Sequence, residues 1–310
     1  MSGSTFQERL HMMEVSLRRI GAGNPRLEAE LLFAHALRCT RISLLTGSER
    51  DITSDEERQL ETLLDRRLFG EPLAYVLGTA DFMGYILRVG PGVLIPRSET
   101  ERLVEVVEEE LGLAGAEPGG APAPPLNDAS GRLSSPPVRV LDVGTGSGAI
   151  PIALAMRNRN VQAMAIDIST EALAYARENV KTHDLCCRIR LLKSDLFRAI
   201  DESIPGEGFD AVISNPPYIP APDMGQLPRE IREHEPTLAL DGGEQGTDYL
   251  MRLIAEAHRC LRPGGLLALE FSSEQAPAIQ TAAKAQEIYH HIRIVKDLAG
   301  RDRFFLAQKG

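Results

Sequence analysis

The chain has 310 residues, 43% of them apolar and 25% charged, with a formal net charge of −10. That composition is ordinary for a globular protein of about two domains. The acidic balance argues against a protein whose affinity rests on neutralising many phosphates, though not against a local basic patch, so direct nucleic-acid binding is not expected.

No run approaches the roughly 18 continuous apolar residues of a membrane span, so no membrane partner is expected. The start, MSGSTFQERLHMMEV, lacks the apolar stretch of a secretory signal. Cys39, Cys186, Cys187 and Cys260 show no metal-ligand spacing, and two of them are adjacent, which suits neither a disulfide framework nor a metal site. Free thiols in a reducing cytoplasm are the expectation, and no metal is.

The first 70 residues read as a helical domain. Leu10, Met13, Leu17 and Ile20 fall at helical spacing, and Asn24-Pro25 has the form of an N-cap with proline in the first turn. The segment that follows, PRLEAELLFAHALRC, is apolar at Leu27, Leu31, Leu32 and Leu37. A third helix is expected from Thr53 or Ser54 through SDEERQLETLLDRRLF. Such a bundle carries no titratable constellation; it is either a folding appendage or a docking domain for a large partner.

Residues 71–98 form a connector, with a hairpin expected about Gly90-Pro91-Gly92, between two short apolar runs. A helix from Glu99 to Leu113 should turn Leu103, Val107 and Leu111 inward and leave Glu105, Glu108, Glu109 and Glu110 on a solvated face. Residues 114–137, AGAEPGGAPAPPLNDASGRLSSPP, lack the apolar bulk to offset their ordering entropy and read as a flexible insertion.

From Val138 onward strands and helices alternate. The strand-like runs are VRVLDV, VQAMAID, RIRLLKSD, FDAVIS, GGLLALEF, YHHIRIV and RFFLAQ; helices are expected at 148–157, 170–181, 247–261 and about 274–286. The alternation predicts a doubly wound α/β sheet. The last two runs are too close for a helical crossover and should pair antiparallel.

Four features fall at the carboxyl ends of successive strands, where open α/β sheets bind ligands. In VLDVGTGSGAI, Gly144, Gly146 and Gly148 let backbone approach a ligand ahead of a helix N-terminus. Their GxGxG spacing departs from the GxGxxG of dinucleotide sites, and with Asp142 it disfavours a dehydrogenase. Asp167 ends the second strand, placed to accept hydrogen bonds from a ribose diol. Asp195 ends the third, where it can meet an adenine amino group. The fourth delivers Asn215-Pro216-Pro217-Tyr218, whose prolines must leave the sheet in a stiff loop.

In this order the four resemble the class I S-adenosylmethionine-dependent methyltransferases, a Rossmann-like fold with a mostly parallel sheet and an antiparallel last strand. NPPY resembles the motif of those that methylate planar nitrogens. Such a nitrogen has a delocalised lone pair and attacks poorly. The Asn215 side-chain oxygen and the Pro216 carbonyl can hold both N–H groups and aim it, while Tyr218 lies against the planar group. Orientation of this kind supplies rate, as do hydrogen bonds that strengthen with developing charge.

NPPY alone leaves adenine, guanine and protein glutamine open. Other segments narrow the choice. PRLEAELLFAHAL, RRLFGEPLAYVLGTADFMGYILRV, VLIPRSETERLVE, SNPPYIP, HEPTLALDGGEQGTDYL and LRPGGLLALE make the chain similar, over nearly its full length, to the HemK-type (PrmC-like) protein-(glutamine-N5) methyltransferases that modify peptide chain release factors.

The resemblance implies a docking domain over 1–70, the connector at 71–98 and a methyltransferase domain over 99–310. It implies transfer of a methyl group to the glutamine of a Gly-Gly-Gln motif, with S-adenosylhomocysteine as by-product. Gly144, Thr145, Gly146, Ser147, Gly148, Asp167, Leu196 and Asn215 become cofactor contacts; Asn215, Pro216, Pro217 and Tyr218 cradle the glutamine. PRSETE, residues 96–101, borders the cofactor site, and Ser98 or Thr100 can also cap the next helix.

Two departures stand out. The 114–137 insertion is longer than usual, and after LRPGGLLALE the chain runs Phe271-Ser272-Ser273-Glu274-Gln275 where the family has a glycine. A ribosomal-protein glutamine methyltransferase, an adenine-N6 enzyme and a catalytically silent cofactor-binding scaffold are the alternatives.

Overall fold

The computed structural model describes residues 6–46, 52–113, 136–200 and 206–310. All but Pro136 and Pro137 of the expected 114–137 insertion lies outside the described residues. Two units are distinguished: Met1–Thr79 with Pro228–His234, and Ala80–Leu227 with Glu235–Gly310.

The first unit is helical: α1 Phe6–Arg19, α2 Pro25–Ala36, α3 Arg41–Thr46, α4 Ser54–Leu68 and α5 Leu73–Leu77. Asn24 caps α2 by accepting from the Leu27 N–H, and Thr53 and Glu56 close a capping box on α4. Phe6, Leu10, Met13 and Leu17 of α1 pack with Ala29, Leu32, Phe33 and Ala36 of α2 and with Leu60 and Leu63 of α4. Leu37 packs partly buried against this core, Leu27 and Leu31 are half-buried, and Ile20, beyond the end of α1, is exposed. Buried Glu30 is held by Arg26 at 2.7 Å and Arg41 at 2.6 Å. Burial raises its pKa, but the two guanidiniums outweigh that and hold it below the usual carboxylate range.

The second unit opens on the hairpin β1 Thr79–Phe82 and β2 Tyr85–Arg88. Its turn is Met83-Gly84, both at positive φ, and not the expected Gly90-Pro91-Gly92. Positive φ at both central residues matches the twist of a two-residue hairpin, whereas Gly90–Gly92 runs on past it as loop.

Next come α6 Ser98–Glu110, β3 Val138–Val143, α7 Ala149–Arg157, β4 Val161–Asp167, α8 Thr170–Thr182, β5 Ile189–Lys193 and β6 Phe209–Ser214. Then α9 Arg229–His234, which belongs to the first unit, precedes α10 Asp248–Glu256, β7 Leu261–Glu270, α11 Ala276–Ala285, β8 Tyr289–Lys296 and β9 Asp302–Lys309. The main sheet has the order β5-β4-β3-β6-β7-β9-β8. Pairing is parallel from β5 to β7 and antiparallel at β7–β9 and β9–β8.

Strand residues alternate between two cores. Val140, Ile213, Ala268, Phe304 and Leu306 join α6 and α7 on one face; Leu141, Val212, Leu267, Leu269 and Phe305 join α10 and α11 on the other. Both faces are covered, so the strands read as nearly unbroken apolar runs. The chain order reverses between β3 and β6, which opens a crevice at the carboxyl ends of those strands.

One acid expected in solvent is buried. Glu108 of α6 accepts from Arg157 Nε at 3.0 Å and Nη2 at 2.9 Å and from Asn158 Nδ2 at 2.6 Å, joining α6 to the end of α7. Its i, i+4 neighbour Val104 faces the same core, which the charge of its flanking acids disguised. Glu108→Ala strands a largely buried guanidinium and should destabilise the protein by about 3–5 kcal/mol, read as a drop in the urea midpoint.

Candidate active site

The reversal point holds a cleft of about 360 Å³, within the roughly 300–1,000 Å³ of small-molecule sites. Its floor is the turn from β3 to α7. Gly144 and Thr145 donate their N–H groups to the Ile166 carbonyl, both at 2.9 Å, which bends the turn against the end of β4. Gly148, at φ 84°, begins α7. A Cβ there would lie 3.2 Å from the Ile152 side chain, so both its conformation and its packing call for glycine.

Asp167 ends β4 and accepts from the Gly146 and Ser169 N–H groups, each at 2.9 Å. Desolvation nevertheless wins and raises its pKa. Each oxygen keeps a lone pair for a further donor. Leu196 follows β5 with φ 47°, a left-handed conformation unfavourable for leucine, and with Asp195 it lines the cleft. The Asp195 carboxylate is also paired with Arg252 at 3.1 Å and Arg198 at 3.0 Å.

Asp142 is fully buried beneath the glycine turn, and neither oxygen receives a hydrogen bond of good geometry; the neighbouring Thr145 hydroxyl is close enough to lower its pKa, but less than burial raises it. Burial, reinforced by the Asp167 charge, pushes its pKa up to about 7. A carboxyl buried under a ligand cleft is suited to a cationic group.

Asn215 leaves β6 directly into the cleft, followed by Pro216 and Pro217. Its Nδ2 donates to Thr100 Oγ1 at 2.9 Å, and Thr100 Oγ1 donates to Glu270 Oε2 at 2.8 Å. The Tyr218 hydroxyl donates to Glu270 Oε1 at 3.2 Å. One buried acid at the end of β7 thus holds both ends of NPPY. Among the described residues no donor engages Asn215 Oδ1 or the Pro216 carbonyl, so both residues bring an unfilled acceptor to the cleft wall.

The loop is braced from behind. Gln275 Nε2 donates to the Tyr218 and Gly246 carbonyls, both at 2.8 Å, and the Ile219 N–H donates to Leu240 O at 3.0 Å. A Cβ on Gly246 would sit 2.3 Å from the Tyr218 carbonyl, which is why DGGEQG needs a glycine there. The Phe271–Gln275 stretch keeps the clamp: Ser272 and Gln275 form a capping box of their own.

Of the expected site residues, Gly144, Thr145, Gly146, Ser147, Asp167, Asp195, Leu196, Asn215, Pro216 and Pro217 line one cleft. Gly148 and Tyr218 do not reach its wall. Neither Ser98 nor Thr100 caps α6: Arg97 stands at the N-cap without a side-chain capping bond, and the Thr100 hydroxyl is committed to Glu270.

Sequence reasoning missed Glu270 and Glu235. Glu235 accepts from Arg97 Nη2 at 2.6 Å and the Ile95 N–H at 3.1 Å, tying residues 95–97 to the Pro236–Ala239 wall. A single acid closing an otherwise apolar strand, LLALE, was the signal available for Glu270.

Residues 8–78 match the PrmC N-terminal domain, and residues 134–305 match a methyltransferase domain. A release factor glutamine methyltransferase of Rhodopirellula baltica is 38% identical over 293 residues, 94% of this chain and 92% of that protein. One from Moorella thermoacetica is 39% identical over 297 residues, 95% and 96% of the two chains. Among solved structures, the delta-N METTL16 MTase domain superposes with a TM-score of 0.51 at 18% identity, covering 91% of this chain and 95% of that one. That likeness concerns the fold.

Proposed function

Since the chain belongs to the release factor glutamine methyltransferase family, we infer that its NPPY loop aligns a glutamine side-chain amide for methylation at N5. The protein is an S-adenosylmethionine-dependent methyltransferase, and the glutamine it modifies is that of the Gly-Gly-Gln motif of peptide chain release factors. When bound, S-adenosylmethionine supplies an electrophilic methyl group.

The cleft fits that cofactor. Asp167 is placed for a ribose diol, the backbone of Gly144–Gly148 for close approach, and Leu196 for the adenine face. Asp142, beneath the turn and outside the cleft wall, can act on the cationic end only as a buried charge. Asp195 lines the cleft at the expected place for the adenine amino group, and its pairs with Arg252 and Arg198 hold its carboxylate there while leaving each oxygen a lone pair.

The single observation that carries the reading is the acceptor pair at the cleft. Both hydrogens of a primary amide need partners when the amide is desolvated. Asn215 Oδ1 and the Pro216 carbonyl supply two, and both are borne by a proline-stiffened, hydrogen-bonded loop. Held so, the amide plane is fixed and its nitrogen is presented to the cleft without a search in orientation. As positive charge develops on nitrogen, its N–H groups become stronger donors, so the pair binds the transition state better than the ground state. The nitrogen's surplus proton is strongly acidic and is lost to water once the methyl group has transferred. Tyr218 acts through its hydroxyl on Glu270, fixing the loop.

The helical unit, with no chemistry of its own, grips the folded substrate. No helix among the described residues is long and apolar enough to cross a membrane, and the proposed place of action is the cytoplasm. Mass spectrometry of a release factor, a ribosomal protein and DNA, each incubated with enzyme and S-adenosylmethionine, tests the substrate. The expected result is a gain of one CH2 on the Gly-Gly-Gln glutamine; a gain on adenine or another glutamine overturns it.

A further inference from the structure

Glu270 is fully buried, and each of its oxygens takes one hydroxyl. The Thr100 hydroxyl has a single hydrogen. Committed to Glu270, it leaves Thr100 Oγ1 only lone pairs for Asn215, so the Asn215 amide must offer its NH2 there. The opposite end of that amide is then Oδ1. We propose that Glu270, through Thr100, sets the polarity of the Asn215 amide and is a positioning residue whose ionised form keeps the acceptor toward the substrate. The proposal rests on the reading of Asn215 as the acceptor of a glutamine N–H.

The relay reverses on protonation. A proton on Oε2 makes that oxygen a donor to Thr100, whose own hydrogen turns to Asn215. The amide then rotates to accept it, and Nδ2 faces the cleft. A donor now opposes the two donors of the substrate amide. The proton sits on an oxygen and no bond between heavy atoms changes.

The groups facing Glu270 are Thr100 and Glu99 from α6, Tyr218 from the NPPY loop and Arg303 from β9. Burial dominates and raises its pKa to about 7; Glu99 adds to the rise, and Thr100, Tyr218 and Arg303 oppose it. The acceptor arrangement is therefore lost as pH falls through about 7 and retained above it.

The test is kcat against pH at saturating S-adenosylmethionine and release factor. Saturation separates Glu270 from Asp142, whose protonation is expressed in the KM for the cofactor. Wild-type enzyme should show an acid limb of one proton. Glu270→Gln cannot titrate and should lose that limb, with plateau kcat down about 10–100-fold and cofactor KM little changed. Thr100→Val, which keeps the shape and removes the hydroxyl, should behave alike, and Thr100→Ser should restore both kcat and limb.

Should Glu270→Gln fail to bind cofactor in calorimetry, the Thr100 pair decides. Wild-type kcat and acid limb in Thr100→Val, or in a cofactor-binding Glu270→Gln, would overturn the proposal. If Asn215→Ala retains full activity, the acceptor reading itself fails. An inactive Asn215→Ala beside a normal Thr100→Val removes the relay alone.

Discussion

Asn215→Ala is expected to lower kcat for glutamine methylation by about 10²–10³-fold, with cofactor affinity changed far less. On the proposed reading, the substitution deletes one of the two acceptors that fix the amide plane. Its remaining partner, the Pro216 carbonyl, holds one N–H and leaves the nitrogen free to swing. The loss falls on kcat because the missing bond strengthens as charge builds on nitrogen. The scaffold should survive, since the loop keeps its clamps at Gln275 and Leu240.

Asn215→Asp separates shape from hydrogen bonding. It retains an oxygen at the cleft but replaces the Nδ2 donor by a second acceptor facing Thr100 Oγ1, whose hydrogen already lies on Glu270. A carboxylate placed one hydroxyl away from another buried carboxylate is repelled. The aspartate variant should therefore be nearly as impaired as the alanine one. Single-turnover rates with bound cofactor, beside calorimetric cofactor affinities, check both. A rate within a few-fold of wild type in Asn215→Ala would remove the aligning role.

Much of this arrangement is legible along the chain because it is local. The strand–glycine–helix pattern of VLDVGTGSGAI, the acid ending VQAMAID and the NPPY loop are each defined by a few consecutive residues, and the sheet order carries them to one crevice. What is not legible is long-range partnership. Thr100 and Glu270 are 170 positions apart and meet only because α6 packs over the end of β7. Glu108 sits among acids that look solvated, and its partners Arg157 and Asn158 lie beyond an insertion. The hairpin was misplaced for a different reason: Gly90-Pro91-Gly92 has stronger turn composition than Met83-Gly84, and composition does not say which turn the flanking strands can pair across. Short helices such as α3 and α5 lack the length for periodicity to register.

Asp142→Asn should stabilise the cofactor-free protein and weaken cofactor binding. In the folded chain the Asp142 pKa rises from 3.8 to about 7 because burial outweighs the help of the Thr145 hydroxyl, with the Asp167 charge adding to the rise. A folded-state pKa above the unfolded one means that the native state binds more protons between the two values. Its contribution is then most favourable below pH 3.8 and is lost as pH rises through about 7. By pH 8, above the folded pKa, the wild-type protein carries nearly the whole penalty, about 4 kcal/mol at one pKa unit per 1.36 kcal/mol. Asparagine removes the ionisation but leaves a buried amide short of partners, at a cost of about 1–3 kcal/mol. The net gain should be roughly 1–3 kcal/mol at pH 8 and should reverse toward pH 4, where the carboxyl is protonated and only the amide's cost remains, so the two melting temperatures should cross as the solution is acidified. Glu270 titrates alike in both proteins and cancels from the comparison. Saturating S-adenosylmethionine should reverse the order, because a cationic ligand draws Asp142 into its ionised form and asparagine offers no charge in return. If the variant gains stability without losing affinity, the buried carboxyl has no part in holding the cofactor, and its strain serves something other than binding.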